Sequence, residues 1–162
     1  MVIGIFDDYT GAARAVDQLR AAKFSTSDIS LIGRDPDELR PVVSELSSHK
    51  PDKLMTRLGI AGAIGGLFVG LTTIFLPGIG AFALAGPLVG AISGIAAGSA
   101  LGVVAGALVH FDVPESEAKV YEAHITEGKV LVAVHTDKPE ERIKAEQIFD
   151  DSGAVEVDSK AA

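Results

Sequence analysis

The chain has 162 residues, no cysteine and a formal net charge of −8. That acidity excludes a nucleic-acid-binding face, which needs clustered basic residues, and a polybasic lipid-binding surface. Without cysteine there is no disulfide framework, thiolate metal site or thiol nucleophile. The charge is also unevenly spread. The 52 residues from Leu58 to Val109 carry no Asp, Glu, Lys or Arg, so all 36 charged side chains lie in the two flanks.

The first flank opens on VIGIF, a short apolar run of strand type. It has no basic lead and is too short for a signal peptide. Asp7 and Asp8 run into TGAARAVDQLRAAK, where Ala12, Val16 and Leu19 share one helical face. DISLIGR reads as a second strand. Asp35-Pro36-Asp37-Glu38 has helix-start chemistry, with Asp35 as cap, Pro36 in the first turn and Glu38 closing a capping box. Leu39, Val42, Val43 and Leu46 continue as a helical stripe that Pro41 shortens or kinks.

The uncharged centre is long enough for two membrane-spanning helices of about 20 residues each. Leu76-Pro77-Gly78-Ile79-Gly80 is the natural break. Its position predicts helices over 54–76 and from Ala81 or Pro87 to Val109, with Pro87 either starting or kinking the second. Gly86, Gly90, Gly94, Gly98, Gly102 and Gly106 form an unbroken series at every fourth position, and Gly62, Gly66 and Gly70 form a shorter one. In lipid, small residues at that spacing let two helix backbones approach closely. Each step turns the stripe by about 40° on a 3.6-residue helix, so one straight partner does not follow it to the end. Two contacts are therefore expected: the other helix of the hairpin, and a helix of a neighbouring chain in a homo-oligomer. A buried hairpin in a soluble assembly is the alternative, since 11 alanines join the 13 glycines of this run.

In the second flank, Asp112-Val113-Pro114-Glu115 repeats the helix-start chemistry before SEAKVYEAHITEG, with Ala118, Tyr121 and Ile125 on one face. KVLVAVHT is the clearest strand. Asp137-Lys138-Pro139-Glu140 opens another helix with Ala145, Ile148 and Phe149 inward, and AVEV at 154–157 is the last strand. Two βαβ units thus flank the centre. Paired into one four-stranded sheet, they predict an α+β, ferredoxin-like sandwich with an inserted apolar glycine-zipper helical hairpin. The expected division is 1–53 and 110–162 as two halves of one cytoplasmic domain and 54–109 as the transmembrane hairpin. Lys50, Lys53 and Arg57 before the first span place both termini in the cytoplasm of a bacterial inner membrane, with the PGIG turn on the far side.

Candidate chemistry is sparse. His49, His110, His124 and His135 share no metal-ligand spacing. Asp7-Asp8 reads as a capped strand-to-helix corner rather than an acid–base pair, and Asp150-Asp151-Ser152-Gly153 as a helix end. Tyr9 and Tyr121 either line a ligand site or pack at the domain surface. Gly78 and Gly80 lack the context of a phosphate loop. No charged residue falls within the spans, which weakens an ion-pump reading. No enzyme, cofactor or metal is expected.

Three runs carry a family resemblance: VIGIFDDYTGAARAVDQLRAAKFSTSDISLIGR, the glycine-rich centre, and VPESEAKVYEAHITEGKVLVAVHT. The chain resembles the bacterial general stress or heat-induced stress proteins. It is similar in plan to the small membrane subunit of alternative complex III, a quinol-oxidising respiratory complex. The resemblance implies a stress-associated bacterial membrane protein with no assigned reaction. The function expected is a self-assembling structural or membrane-organising role, with the lipid bilayer as partner. The alternatives are a ligand-sensing or accessory subunit of a membrane complex, with a protein partner there, or an oligomeric pore lined by Thr72, Thr73, Ser93 and Ser99.

Overall fold

The computed structural model describes residues 1–35, 37–39, 72–76, 80–88 and 102–159. Strand β1 (Val2–Phe6) is followed by α1 (Tyr9–Ala21), a 3-10 turn (Thr26–Asp28) and β2 (Ile29–Gly33). Strands β3 (Thr72–Leu76) and β4 (Gly80–Ala85) come next, then α2 (Val103–His110) and α3 (Glu115–Thr126). Strand β5 (Val130–Val134), α4 (Pro139–Asp151) and β6 (Glu156–Ser159) complete the chain. The fold is α+β, on a six-stranded antiparallel sheet of order β3-β4-β2-β5-β1-β6.

The two βαβ units interleave. β5 lies between β1 and β2, and β1 lies between β5 and β6, so each unit's strands are separated by one strand of the other. The register pairs Val2 with Val134 and Ile29 with the same Val134, which makes β5 the spine of the sheet.

Both faces of the sheet are covered. Val2, Phe6, Leu31, Val132 and Val134 pack on one side against Ala12, Val16 and Leu19 of α1 and Ile148 and Phe149 of α4. Ile3, Ile5, Ile32, Leu84 and Leu131 pack on the other against Val104 and Leu108 of α2 and Tyr121 and Ile125 of α3. The expected sandwich shared a single sheet face, and the second helical layer is a correction to it. Its physical signal was present in the strands. VIGIF and VLVAV are continuous apolar runs, the mark of strands buried on both sides, and every residue of β1, β2 and β5 is buried.

The centre departs from expectation. Thr72–Leu76 was expected at the end of the first helix, Gly80 in the break, and Ala81–Ala85, under the Ala81 start, at the beginning of the second helix, but Thr72–Leu76 and Gly80–Ala85 are strands, paired from Thr72↔Leu84 to Leu76↔Gly80. β4 also pairs with β2, Leu31↔Ala85 to Gly33↔Ala83. Thr, Ile and Phe in TTIFL have high strand propensity, and the sheet edge takes up backbone groups that a helix would have satisfied internally. The Leu76↔Gly80 pair therefore belongs to the sheet that both flanks build. After β4, Pro87 and Leu88 are already helical, so Pro87 starts a helix rather than kinking one. Residues 54–71, 77–79 and 89–101 of the expected hairpin lie outside the described residues. Among the described residues no helix is long and apolar enough to cross a membrane.

Helix starts follow local chemistry in the first half and depart from it in the second. The Asp8 carboxylate accepts from the Gly11 N–H at 2.8 Å, and Asp35 accepts from the N–H groups of Asp37 and Glu38. Asp112 and Asp137 are not caps. The positions before α3 and α4 are Pro114 and Lys138, neither with a side-chain cap, and Asp112 sits at φ 63 in the turn that leaves α2. The last strand starts at Glu156, two residues later than AVEV suggested.

Candidate functional site

The uncharged centre joins the sandwich at two described points, and each is built on a glycine in the left-handed region. At the first, β4 ends and Gly86 turns the chain at φ 87. Its Cα lies against β2: an added Cβ would land on the Ile29 carbonyl and 2.7 Å from Ser30 Cα. Only glycine fits both the conformation and the space.

Two residues later the Leu88 N–H donates to Ser30 Oγ at 3.2 Å, and both residues are fully buried. Ser30 Oγ lies 3.1 Å from His135 Nε2. The oxygen accepts from Leu88 and keeps a second lone pair and its own proton, so the contact with a neutral His135 is Ser30 O–H to Nε2 or Nε2–H to Ser30 Oγ according to the imidazole tautomer. Burial, and secondarily the Met1 ammonium, pull His135 down to about 4, which keeps it neutral near pH 7. The ring also packs on Phe111, centroids 4.6 Å apart, and Phe111 is the residue that ends α2.

The second junction is Gly102, at φ 76, which caps α2. The helix's first turn is satisfied from outside: Glu122 of α3 accepts the Ala105 N–H through Oε2 at 2.6 Å. A carboxylate at a helix N-terminus is favoured by the exposed N–H groups and the helix dipole. A Cβ on Gly102 would collide with that carboxylate. Gly102→Ala is therefore expected to cost about 1–3 kcal/mol, from the left-handed backbone and the displaced cap together. The denaturation midpoint of the purified chain reads this out. A cost no greater than that of a surface substitution would show that Glu122 does not hold the turn.

These two glycines correct the expected stripe. Gly86 and Gly102 are not on a helix surface, and their positive φ angles break the continuous helix that the fourfold spacing suggested. Gly106 does lie within α2, and its N–H donates to the Gly102 carbonyl. Gly62, Gly66, Gly70, Gly90, Gly94 and Gly98 lie outside the described residues, as does His49.

The remaining candidates fall into place individually. His110 is exposed at the end of α2, and His124 lies 3.3 Å from Glu156 on β6. Asp7 and Asp8 form the capped corner before α1, and Ser152 and Gly153 the end of α4. Tyr9 accepts the Asp35 N–H on its hydroxyl at 2.7 Å. Tyr121 donates to Asp158 at 2.9 Å beside a groove of about 390 Å³ lined by Ser116, Glu117, Val120 and Glu156. Burial first, then the Asp158 hydrogen bond, raises the Tyr121 hydroxyl well above its usual value, so it stays a donor. Among the described residues no group of three or more His, Asp or Glu is placed to hold a metal ion. The residues that sequence reasoning missed are Ser30, Glu122 and the pairing role of His135. Ser30 carried one signal: it is the lone polar residue in the apolar run ISLIG.

The first βαβ unit also has a counterpart among known proteins. Residues 1–75 match the heat-induced stress protein YflT domain. The match takes in β1, α1 and β2 and ends within β3, and it supports a relationship to bacterial stress proteins. No curated protein and no solved structure matches the chain. Both glycine junctions, Glu122 and His135 lie beyond the matched residues, so their roles rest on geometry alone.

Proposed function

We propose that this is a stress-associated, non-catalytic protein that self-assembles at a membrane through its small-residue segments. The YflT match over residues 1–75 supports the stress association. The observation that carries the assembly reading is compositional. The uncharged run keeps two glycine series at i, i+4, namely Gly62, Gly66, Gly70 and Gly90, Gly94, Gly98. Such series favour close backbone packing over burial of bulky side chains.

The described strands limit the form of membrane contact. Thr72–Leu76 and Gly80–Ala85 belong to the sheet, so a helix over 54–76 and one starting at Ala81 are not available to cross the ~30 Å hydrocarbon core. The proposal is therefore contact within the membrane interface and between copies, with the sandwich on the cytoplasmic side, rather than the two full spans expected from the sequence.

Particle mass and liposome flotation of the full chain test this together. An oligomer that floats with vesicles, and whose mass falls in Gly94→Leu or Gly98→Leu, is expected. A monomer that stays in solution would overturn the proposal. Recovery of a stoichiometric foreign subunit would favour the accessory-subunit reading instead.

A further inference from the structure

Among the described residues, one edge of the sheet ends in a strand that pairs on a single side. Strand β6 lies outermost beyond β1, and its antiparallel register with β1 runs from Ile5↔Glu156 to Val2↔Ser159. Alternate residues of such a strand turn their N–H and C=O groups outward, where a further strand can pair with them. Beside that edge lies the groove of about 390 Å³, walled by α3 on one side and β6 on the other.

The groove is acidic with an apolar patch. Glu156 and Asp158 are two residues apart on β6, so both side chains rise on the α3 face, and both line the groove with Glu117. None of the residues lining it is basic. Residues of α3 fix two of these carboxylates: Tyr121 donates to Asp158 at 2.9 Å, and His124 Nε2 lies 3.3 Å from Glu156. Val120, 48% accessible, lines the groove as well, and Val155, 49% accessible, immediately precedes the strand.

We propose that the β6 edge and this groove form a docking site for an extended basic segment of a partner protein, which joins the sheet as a further strand. Main-chain pairing supplies the attachment, and lysine or arginine at alternate positions meets Glu117, Glu156 and Asp158. Opposite charges that face each other across neighbouring strands attract, and like charges there repel. The same rule disfavours a second copy of this chain, whose net charge is −8. Pairing β6 with itself, sheet faces aligned, sets Glu156 opposite Asp158. A short charged edge also guards against self-pairing, but that protection needs neither a groove nor an exposed valine in it. The contact is separate from the glycine series of the proposed assembly.

The test uses the full chain and fluorescent, end-blocked hexapeptides. One alternates lysine and valine, a second alternates glutamate and valine, and a third is the lysine–valine peptide methylated at every backbone nitrogen. Anisotropy reads affinity, and amide hydrogen exchange reads location. The lysine–valine peptide is expected to bind about tenfold or more tightly than either of the others, because they lose the cross-strand charge pairs or the main-chain donors. It should slow exchange within residues 156–159 and leave Val132, in the centre of β5, unchanged. Glu156→Lys should weaken the lysine–valine peptide by about tenfold and strengthen the glutamate–valine one, a reversal that misfolding does not mimic. Glu140→Lys, the same charge change on the exposed side of α4, should leave the preference intact. Equal binding of the peptides, equal weakening by Glu140→Lys, or slowed exchange that bypasses residues 156–159 would each overturn the proposal. Slowed exchange at 156–159 without peptide as chain concentration rises would overturn it too, by assigning the edge to a second copy.

Discussion

Gly86→Ala is expected to destabilise the protein by about 3 kcal/mol or more and to lower its melting temperature by roughly 10 °C. Two costs add. A non-glycine residue at φ 87 pays about 1–3 kcal/mol for the left-handed backbone. The new methyl group also meets backbone, the Ile29 carbonyl and Ser30 Cα, and not the end of a flexible side chain. Relief requires moving β4 away from β2, which disturbs the Leu31↔Ala85 pairing and the Leu88 bond to Ser30. Gly128→Ala is the control. Gly128 has φ 100 but nothing within 4 Å of an added Cβ, so it pays only the conformational cost. Thermal unfolding of both variants separates the two terms, and a Gly86 variant as mild as the Gly128 variant would show that the β2–β4 junction is not tightly packed.

Phe149→Ala is expected to cost about 3–5 kcal/mol. The ring is fully buried on the α1/α4 side of the sheet and meets Phe6 edge to face, centroids 5.8 Å apart at 83°. It lies directly over Gly4 of β1, where an added Cβ would come within 2.8 Å of the ring. The glycine thus makes room for the aromatic, and alanine at 149 leaves a cavity beside Gly4 and Phe6. Ile143→Ala on the same helix removes an exposed side chain, 56% accessible, and should change stability by less than about 0.5 kcal/mol. Denaturant titration should show a large midpoint shift for the first and almost none for the second. A Phe149 cost below about 1 kcal/mol would mean that this face is not a close-packed core.

The flanks were readable because their signals are local. Periodicity places Ala12, Val16 and Leu19 on one side of α1, and Ala118, Tyr121 and Ile125 on one side of α3, and all six are buried. Asp8 and Asp35 cap where their side-chain oxygens reach the first free N–H groups. The centre misled because composition and spacing say nothing of backbone angle. A glycine every fourth residue reads as a packing stripe, but Gly86 and Gly102 occupy their places because each needs a positive φ and bare space beside it. TTIFL and GAFALA lie within an uncharged run, and hydropathy alone does not separate a membrane helix from a buried strand pair.

By itself, then, the sequence determined the apolar strand runs of β1, β2 and β5 in the flanks, the helix faces, the first two caps and the absence of charge across 52 residues, because each depends on neighbours within one or two turns of chain. Tertiary structure decided the rest. It recruited β3 and β4 to the β2 edge, laid α2 and α3 on the second face, set Glu122 over the start of α2 and brought His135 to Ser30, 105 residues away. Those contacts join parts of the chain whose spacing carries no period. They form because an apolar sheet with two bare faces gains more from burying both than from one, and because buried polar groups such as the Ser30 hydroxyl and the Leu88 N–H must find partners wherever the fold supplies them.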